Sequence, residues 1–527
     1  MPALLACWVG VFLIAPRACA HELNTVYRDT VLTIQKHIQE GDLDGARTLL
    51  SAALERYPSD GGLENLLGVI DIQQGDVTGA RQAFSESIRH SPKLISAYLN
   101  LGRLSMEDGS LRPAQLQETI RQYETVLQLD PDNSEAIIRL AALLMWQSKY
   151  QASLKTLSKL NSQERQQPGA EAVACLDELS IGNKKAGDII AASVISNAGL
   201  TEQDVMMVLP TLRAAHRADL VEAFLSSVAA SEPLSPAGLR VLGLAQEAEG
   251  KPQKARTTLE RAFALDNSDL APLEDLARIA VATQDYKGAL GYLAHARDLQ
   301  PNDASLAYEF GVVCLKLHLL GETIKAMGDA VKLAPNVPDY NLGIGTVLTF
   351  AQESSQALPY LKTYHQLRPT DPAGILELAI AYFESNDLKN ASIWLNRAAR
   401  IPGTAAQARY YLGSILRRQG DMKDAVAQLS SSVALNPDQP DTYAELGEIY
   451  MEMGKYSESQ TELNRAIALN ETSYAANLAL LQLYSRTGDA RRAEQLKVFE
   501  AIRENNQEQY KEAMRVIEVR PRDGLHP

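Results

Sequence analysis

The chain has 527 residues, with 51 Lys and Arg against 65 Asp and Glu, a formal net charge of −14, and 6% aromatic residues. That acidic balance speaks against a nucleic-acid backbone as main ligand, because such binding depends on Lys and Arg neutralising phosphates. Beyond the N-terminus no continuous apolar window reaches about 18 residues, so no internal membrane-spanning helix is expected.

The first twenty residues stand apart. An apolar run over 4–15 is followed by Ala18, Cys19 and Ala20, which puts alanine at the −3 and −1 positions of a cleavage site. This is the layout of a secretory signal peptide over 1–20, cut after Ala20, although no Lys or Arg precedes the run. The expectation is an exported protein, periplasmic or secreted. Two cysteines remain beyond this segment, Cys175 and Cys314. They lie four repeat lengths plus three residues apart, too far for a disulfide in a stacked array. Both read as buried small apolar side chains.

From His21 onward apolar residues recur at helical three and four spacing, with turn signals about every 17 residues. Residues 406–439 and 440–473 carry one pattern written twice, each 34 residues long. Leu412 and Gly413 answer Leu446 and Gly447; Gly420 answers Gly454; Leu429 answers Leu463. Walked along the chain, this frame starts repeats at 27, 61, 95 and 134 (an N-terminal array, 21–167). It continues at 168 and 202 (degenerate repeats, 168–235), then at 236, 270, 304, 338, 372, 406, 440 and 474 (a C-terminal array, 236–507). The third repeat holds five extra residues, placed in the 108–113 turn. A polar capping helix over 508–519 and a tail are expected after the last. Position 8 is small (Gly243, Ala277, Gly311, Gly345, Ala379, Gly413, Gly447), which lets two antiparallel helices approach closely. Position 20 is mostly Ala, with Thr323 and Ser459 departing. Pro301, Pro335, Pro369 and Pro437 at position 32 end the second helix. A fixed period of this size means a solenoid of about fourteen helical pairs, all-α, with at least 75% helix and no sheet.

These residues resemble tetratricopeptide repeats. Residues 440–473 supply Tyr443, Leu446, Gly447, Tyr450, Gly454, Tyr456, Leu463 and Ala466 of that pattern and depart from it at Ser459 and Glu471. The resemblance implies an α-solenoid superhelix that acts as an interaction scaffold. It also implies that first-helix positions 2, 5, 6, 9, 12 and 13 line a concave face.

No catalytic constellation is found. The eight histidines form no His-x-x-x-His or His-Glu-x-x-His. The Gly182–Gly187 stretch resembles the start of a phosphate loop, but Asp188 stands where Lys is required. No Gly-x-Ser-x-Gly elbow occurs. The expectation is no enzyme, no cofactor and no metal. Read off the inward positions, Tyr308, Val312, Leu315, Leu342, Phe350, Leu376, Ile380 and Phe383 make an apolar stretch over repeats 304–403. Asp275, Glu309, Glu377 and Glu445 share position 6 and suggest an acidic ladder. Exposed apolar patches mark binding sites, so this groove is the expected seat of a protein or peptide partner with basic or apolar character. The same side chains could instead pack on neighbouring helices. The lysine-asparagine carboxylate clamp of chaperone-binding relatives is missing, and of an inner asparagine ladder only Asn100 is present. The alternative use of the fold is structural: a subunit of a bacterial envelope machine, of exopolysaccharide or pilus type, assembled through its convex face.

Overall fold

The computed structural model describes residues 25–106 and 111–517. The expected signal peptide, most of the five-residue insertion and the tail lie outside the described residues. Helix accounts for 79% of the chain, and no strand occurs among the described residues. Among the described residues, twenty-eight α-helices follow one another in consecutive pairs. First helices begin at Gly61, Ile95, Ser134, Pro168, Glu202, Pro236, Ala304, Pro338, Pro372, Pro440 and Tyr474, the starts of the 34-residue frame. The other three begin at Thr25, Ala271 and Ala405, within two residues of it. The architecture is therefore an α-solenoid of fourteen pairs.

Contacts divide the chain into two compact units, Met1–Asp275 and Leu276–Pro527. In the first, one apolar core extends from Leu99 to Ala262 and passes without interruption through the degenerate repeats. In the second, the main core runs from Met327 to Ile415. The last helix runs unbroken over Arg492–Ile517, so the segment expected as a separate cap continues it. No Gly or Pro lies between those ends to stop it.

Two local features shape every pair. The first is close approach. A Cβ built on Gly413 would fall 2.6 Å from Leu429, and one on Gly447 would fall 2.5 Å from Leu463. Position 8 is glycine there because the position 24 side chain rests on its backbone. Ala425 and Ser459, at position 20, are fully buried beside these contacts. The Ser459 hydroxyl donates to the Gly447 carbonyl at 2.7 Å, which satisfies the polar group that departs from alanine. In the degenerate 168–201 repeat the arrangement is inverted. Cys175 holds position 8, Gly187 holds position 20, and the thiol points at the Gly187 carbonyl. Cys175 and Cys314 are both buried and free.

The second feature is the turn. Position 15 has positive φ in every repeat where it is described: Gly41, Gly75, Gly182, Gly250, Gly420, Gly454 and Gly488, but also Ser148, His216, Gln284, His318, Gln352 and Asn386. A left-handed residue reverses the chain at a helix end in one step. In several repeats an aspartate follows at once. Asp42, Asp76, Asp285 and Asp387 accept the amide N–H three residues on and so start the second helix.

One buried charge stands out in the degenerate region. Asp177 is fully buried, and beyond the nearby Ser153 hydroxyl its carboxylate has no hydrogen-bond partner among the described residues. Burial raises its carboxyl from 3.8 to about 7, with Ser153 opposing and Glu178 adding to the rise. Between about pH 4 and pH 7 the folded chain therefore keeps a proton that the unfolded chain has lost. Stability falls as pH rises through that window and levels off above it. Asp177→Asn should remove this loss. Urea unfolding at several pH values should show the variant gaining about 1–3 kcal/mol over the parent at pH 8. That advantage should vanish near pH 4; one that does not change with pH would contradict the account.

Candidate partner-binding groove

In the Leu276–Pro527 unit, first helices Pro372–Glu384, Ala405–Gln419, Pro440–Glu452 and Tyr474–Thr487 line a cleft of about 640 Å³. The helix of repeat 406 contributes Tyr410, Tyr411, Ser414, Arg417 and Arg418. These are its positions 5, 6, 9, 12 and 13, which the helical period places on one face. Repeat 440 contributes Asp441, Ala444, Glu445, Glu448 and Glu452 from positions 2, 5, 6, 9 and 13. Phe383, Glu384 and Ala475 complete the lining.

Arg417 organises the polar floor. Its Nη1 donates to Glu448 Oε2 at 2.6 Å and its Nη2 to Glu452 Oε1 at 2.6 Å. Glu445 lies 3.8 Å from the same guanidinium and accepts the Ser414 hydroxyl at 2.6 Å. Burial works against the charge on Arg417, but Glu452 and Glu448 outweigh it and hold the guanidinium protonated. Burial likewise pushes the Glu445 carboxyl up, opposed by Ser414 and Arg417. Glu384 and Asp441 are exposed and have no ion pair among the described residues. The lining thus holds five carboxylates and two guanidiniums.

The aromatic wall is continuous. Phe383 and Tyr411 meet edge to face at 5.0 Å, as do Tyr411 and Tyr410 at 5.1 Å. The Arg418 guanidinium sits 4.2 Å from the centre of the Phe383 ring. Burial, with Glu384 and Glu377 adding, pushes the Tyr411 hydroxyl up to about 12, so it stays a donor at neutral pH. The arrangement can accept a cation on the acids and its apolar stem on the rings.

The residues expected from the sequence are distributed differently. Leu376, Ile380 and Phe383 are buried in the core of the second unit. Tyr308, Val312, Leu315 and Leu342 are half-buried and pack against that core. Tyr308 also stacks on Tyr340 at 4.7 Å. Phe350 is 75% exposed. Of the acids, Asp275 is buried in the first unit, 2.7 Å from Arg240. Glu309 is exposed and accepts the Ser305 hydroxyl at 3.3 Å. Burial raises the Glu377 carboxyl, with Thr346 opposing. Only Phe383 and Glu445 of the expected set line the cleft. The rest of the lining was reachable from the same inward positions, applied to repeats 372, 406, 440 and 474.

The Met1–Asp275 unit has a smaller cleft of about 400 Å³, lined in part by Arg103, Glu135, Arg139 and Met207. Arg103 makes a two-pronged contact with Glu135, both prongs at 2.5 Å, and donates to Asn100 at 3.1 Å.

Residues 37–104, 111–174 and 440–473 match tetratricopeptide repeat families, and residues 413–454 match a TPR repeat family. These stretches of the chain are tetratricopeptide repeats. It shows likeness to the APC/C hetero-tetramer Cut9-Hcn1, at 15% identity over 87% of this chain and 90% of that one, with a TM-score of 0.39. It also shows likeness to YrrB, described as a TPR protein with an unusual peptide-binding site, at 19% identity over 42% and 96%, with a TM-score of 0.26. A tetratricopeptide repeat protein from Parabacteroides merdae aligns at 18% identity over 46% and 93%, with a TM-score of 0.36. No curated protein sequence matches the chain.

The packing separates the expected aromatic residues by role. Phe383→Ala should cost about 3 kcal/mol of unfolding free energy through the cavity it leaves. Phe350→Ala should change stability by less than about 0.5 kcal/mol. Denaturant unfolding of the two variants checks this, and a mild Phe383→Ala would show that the ring is not a core element.

Proposed function

We propose that this chain is a non-enzymatic scaffold that holds an extended basic peptide segment in the cleft of repeats 406 and 440. The observation that carries this reading is the charge left over in the cleft. Arg417 neutralises carboxylates of repeat 440, while Glu384 and Asp441 stay exposed beside an aromatic wall. A Lys or Arg of the partner would place its cation on Glu384 and Asp441 and its stem against Tyr411. Complementary charge of this kind speeds encounter and fixes register more than it adds raw affinity. The chain's net charge of −14 favours the same partner. The signal-like segment 1–20 supports export to a bacterial periplasm or beyond. N-terminal sequencing of the native protein should then begin at His21, and a start at Met1 would count against export.

Peptides containing Lys and Arg, titrated by fluorescence anisotropy, test the cleft. Binding should weaken with salt. The double variant Glu384→Gln, Asp441→Asn should lower affinity about tenfold, or 1.4 kcal/mol, and flatten the salt dependence. Equal binding of acidic peptides, or an unchanged double variant, would overturn the groove reading in favour of convex-face assembly.

A further inference from the structure

We propose that Glu64, Glu86 and His90 form a site for a divalent cation, with Zn²⁺ the best match. The three residues come from the two helices of one repeat. Glu64 lies on Gly61–Gln73, while Glu86 and His90 lie on Val77–His90. Glu86 and His90 are four residues apart, so the helix turns both side chains to one face. Their ligating atoms and that of Glu64 all lie within 4.8 Å of one another. His90 Nδ1 is 2.8 Å from both carboxylate oxygens of Glu64. One imidazole nitrogen with two carboxylates is a donor set suited to Zn²⁺, which takes His nitrogen and Glu oxygen with four-coordinate geometry.

The surroundings favour an ion. Glu64 is buried, only 9% exposed, and a buried carboxylate requires a counter-charge. Glu86 and His90 are half-buried, so the fourth ligand position faces water. His90 is the last residue of its helix, where the free carbonyls concentrate partial negative charge and favour cations. Without an ion, the His90 imidazole partners Glu64, and Glu86 is held by a surface arginine. Arg89 bonds Glu86 at 2.7 Å, but it is 65% exposed and can turn into solvent when a metal takes its place. A motif search along the sequence misses the set because its ligands are split between two helices, 22 and 4 residues apart. A bound ion would tie the two helices of this repeat together at the end where the second one stops.

The test uses the full chain, untagged and stripped of metal. Zn²⁺ is titrated by calorimetry, Co²⁺ is followed by its visible absorption, and melting is recorded with and without Zn²⁺. The expected result is one Zn²⁺ per chain and a melting temperature that rises with Zn²⁺. His90→Gln and Glu86→Gln should each lower affinity at least about tenfold and abolish the Zn²⁺-dependent rise. Glu86→Gln should melt near the parent when metal is absent, since it changes a half-buried group in the last turn, whereas His90→Gln should melt lower because it takes the imidazole from buried Glu64. No saturable one-to-one binding, or variants that hold Zn²⁺ as tightly as the parent, would overturn the proposal and leave an ordinary histidine–carboxylate pair.

Discussion

Where position 8 is glycine, the two helices of a repeat are held so close that the side chain at position 24 lies against its backbone, and the other features of those pairs follow from that contact. A Cβ on Gly345 would fall 2.6 Å from Leu361, and one on Gly243 would fall 2.7 Å from Leu259. To bring the second helix back at that distance the chain must reverse within about three residues. The left-handed position 15 does this, and the packing is strong enough to impose it on residues that resist it. His318 and Gln352 adopt φ near +60° in two successive repeats. For such residues the left-handed conformation costs roughly 1–2 kcal/mol each. Stacked pairs that meet this condition repeat with a fixed register. That register carries first-helix positions 5, 6, 9, 12 and 13 to one side.

Much of this was legible in the sequence, since it depends on residue types at fixed spacing. The glycine at position 8, the alanine at 20 and the 34-residue period place the helices to within two residues. Gly187 hid the same device in the degenerate region, because there the small residue moved to the partner helix. Tertiary packing then joined that region to its neighbours through Val205, Val208, Leu212 and Phe224. The capping helix was drawn too short because its boundary rested on repeat length alone, without a stop signal.

The groove was only half legible. Positions 5, 6, 9, 12 and 13 of repeat 406 do share the cleft, but a side chain at such a position can also face the next first helix. Ile380 is buried, and Phe383 is buried with its ring against Tyr411 of the next first helix. Nothing in one repeat reveals this, because the neighbour that covers a side chain comes from the next repeat, as Tyr411 does for Phe383. The same holds for charges. Asp275 looked like one rung of a ladder until Arg240, in the preceding repeat, came within 2.7 Å of it. Arg417 is tied to Glu448 and Glu452 in the same way, and Arg103 to Glu135. Each pair links one first helix to the next. Such partly buried, hydrogen-bonded pairs fix geometry more reliably than they add stability.

That fixed geometry is what turns the inner face of repeats 406 and 440 into a defined cleft. Its walls come from side chains already held by neighbours: Tyr411 between Phe383 and Tyr410, and Arg417 among three carboxylates. A photo-reactive phenylalanine analogue at position 411 or at 435 tests this use of the surface most directly. Leu435 is 57% exposed at the end of a second helix, Met422–Leu435, outside the cleft. In the native host, the account predicts cross-links to a partner from position 411 and none from 435. Cross-links from 435 alone would place the partner outside the cleft and contradict it.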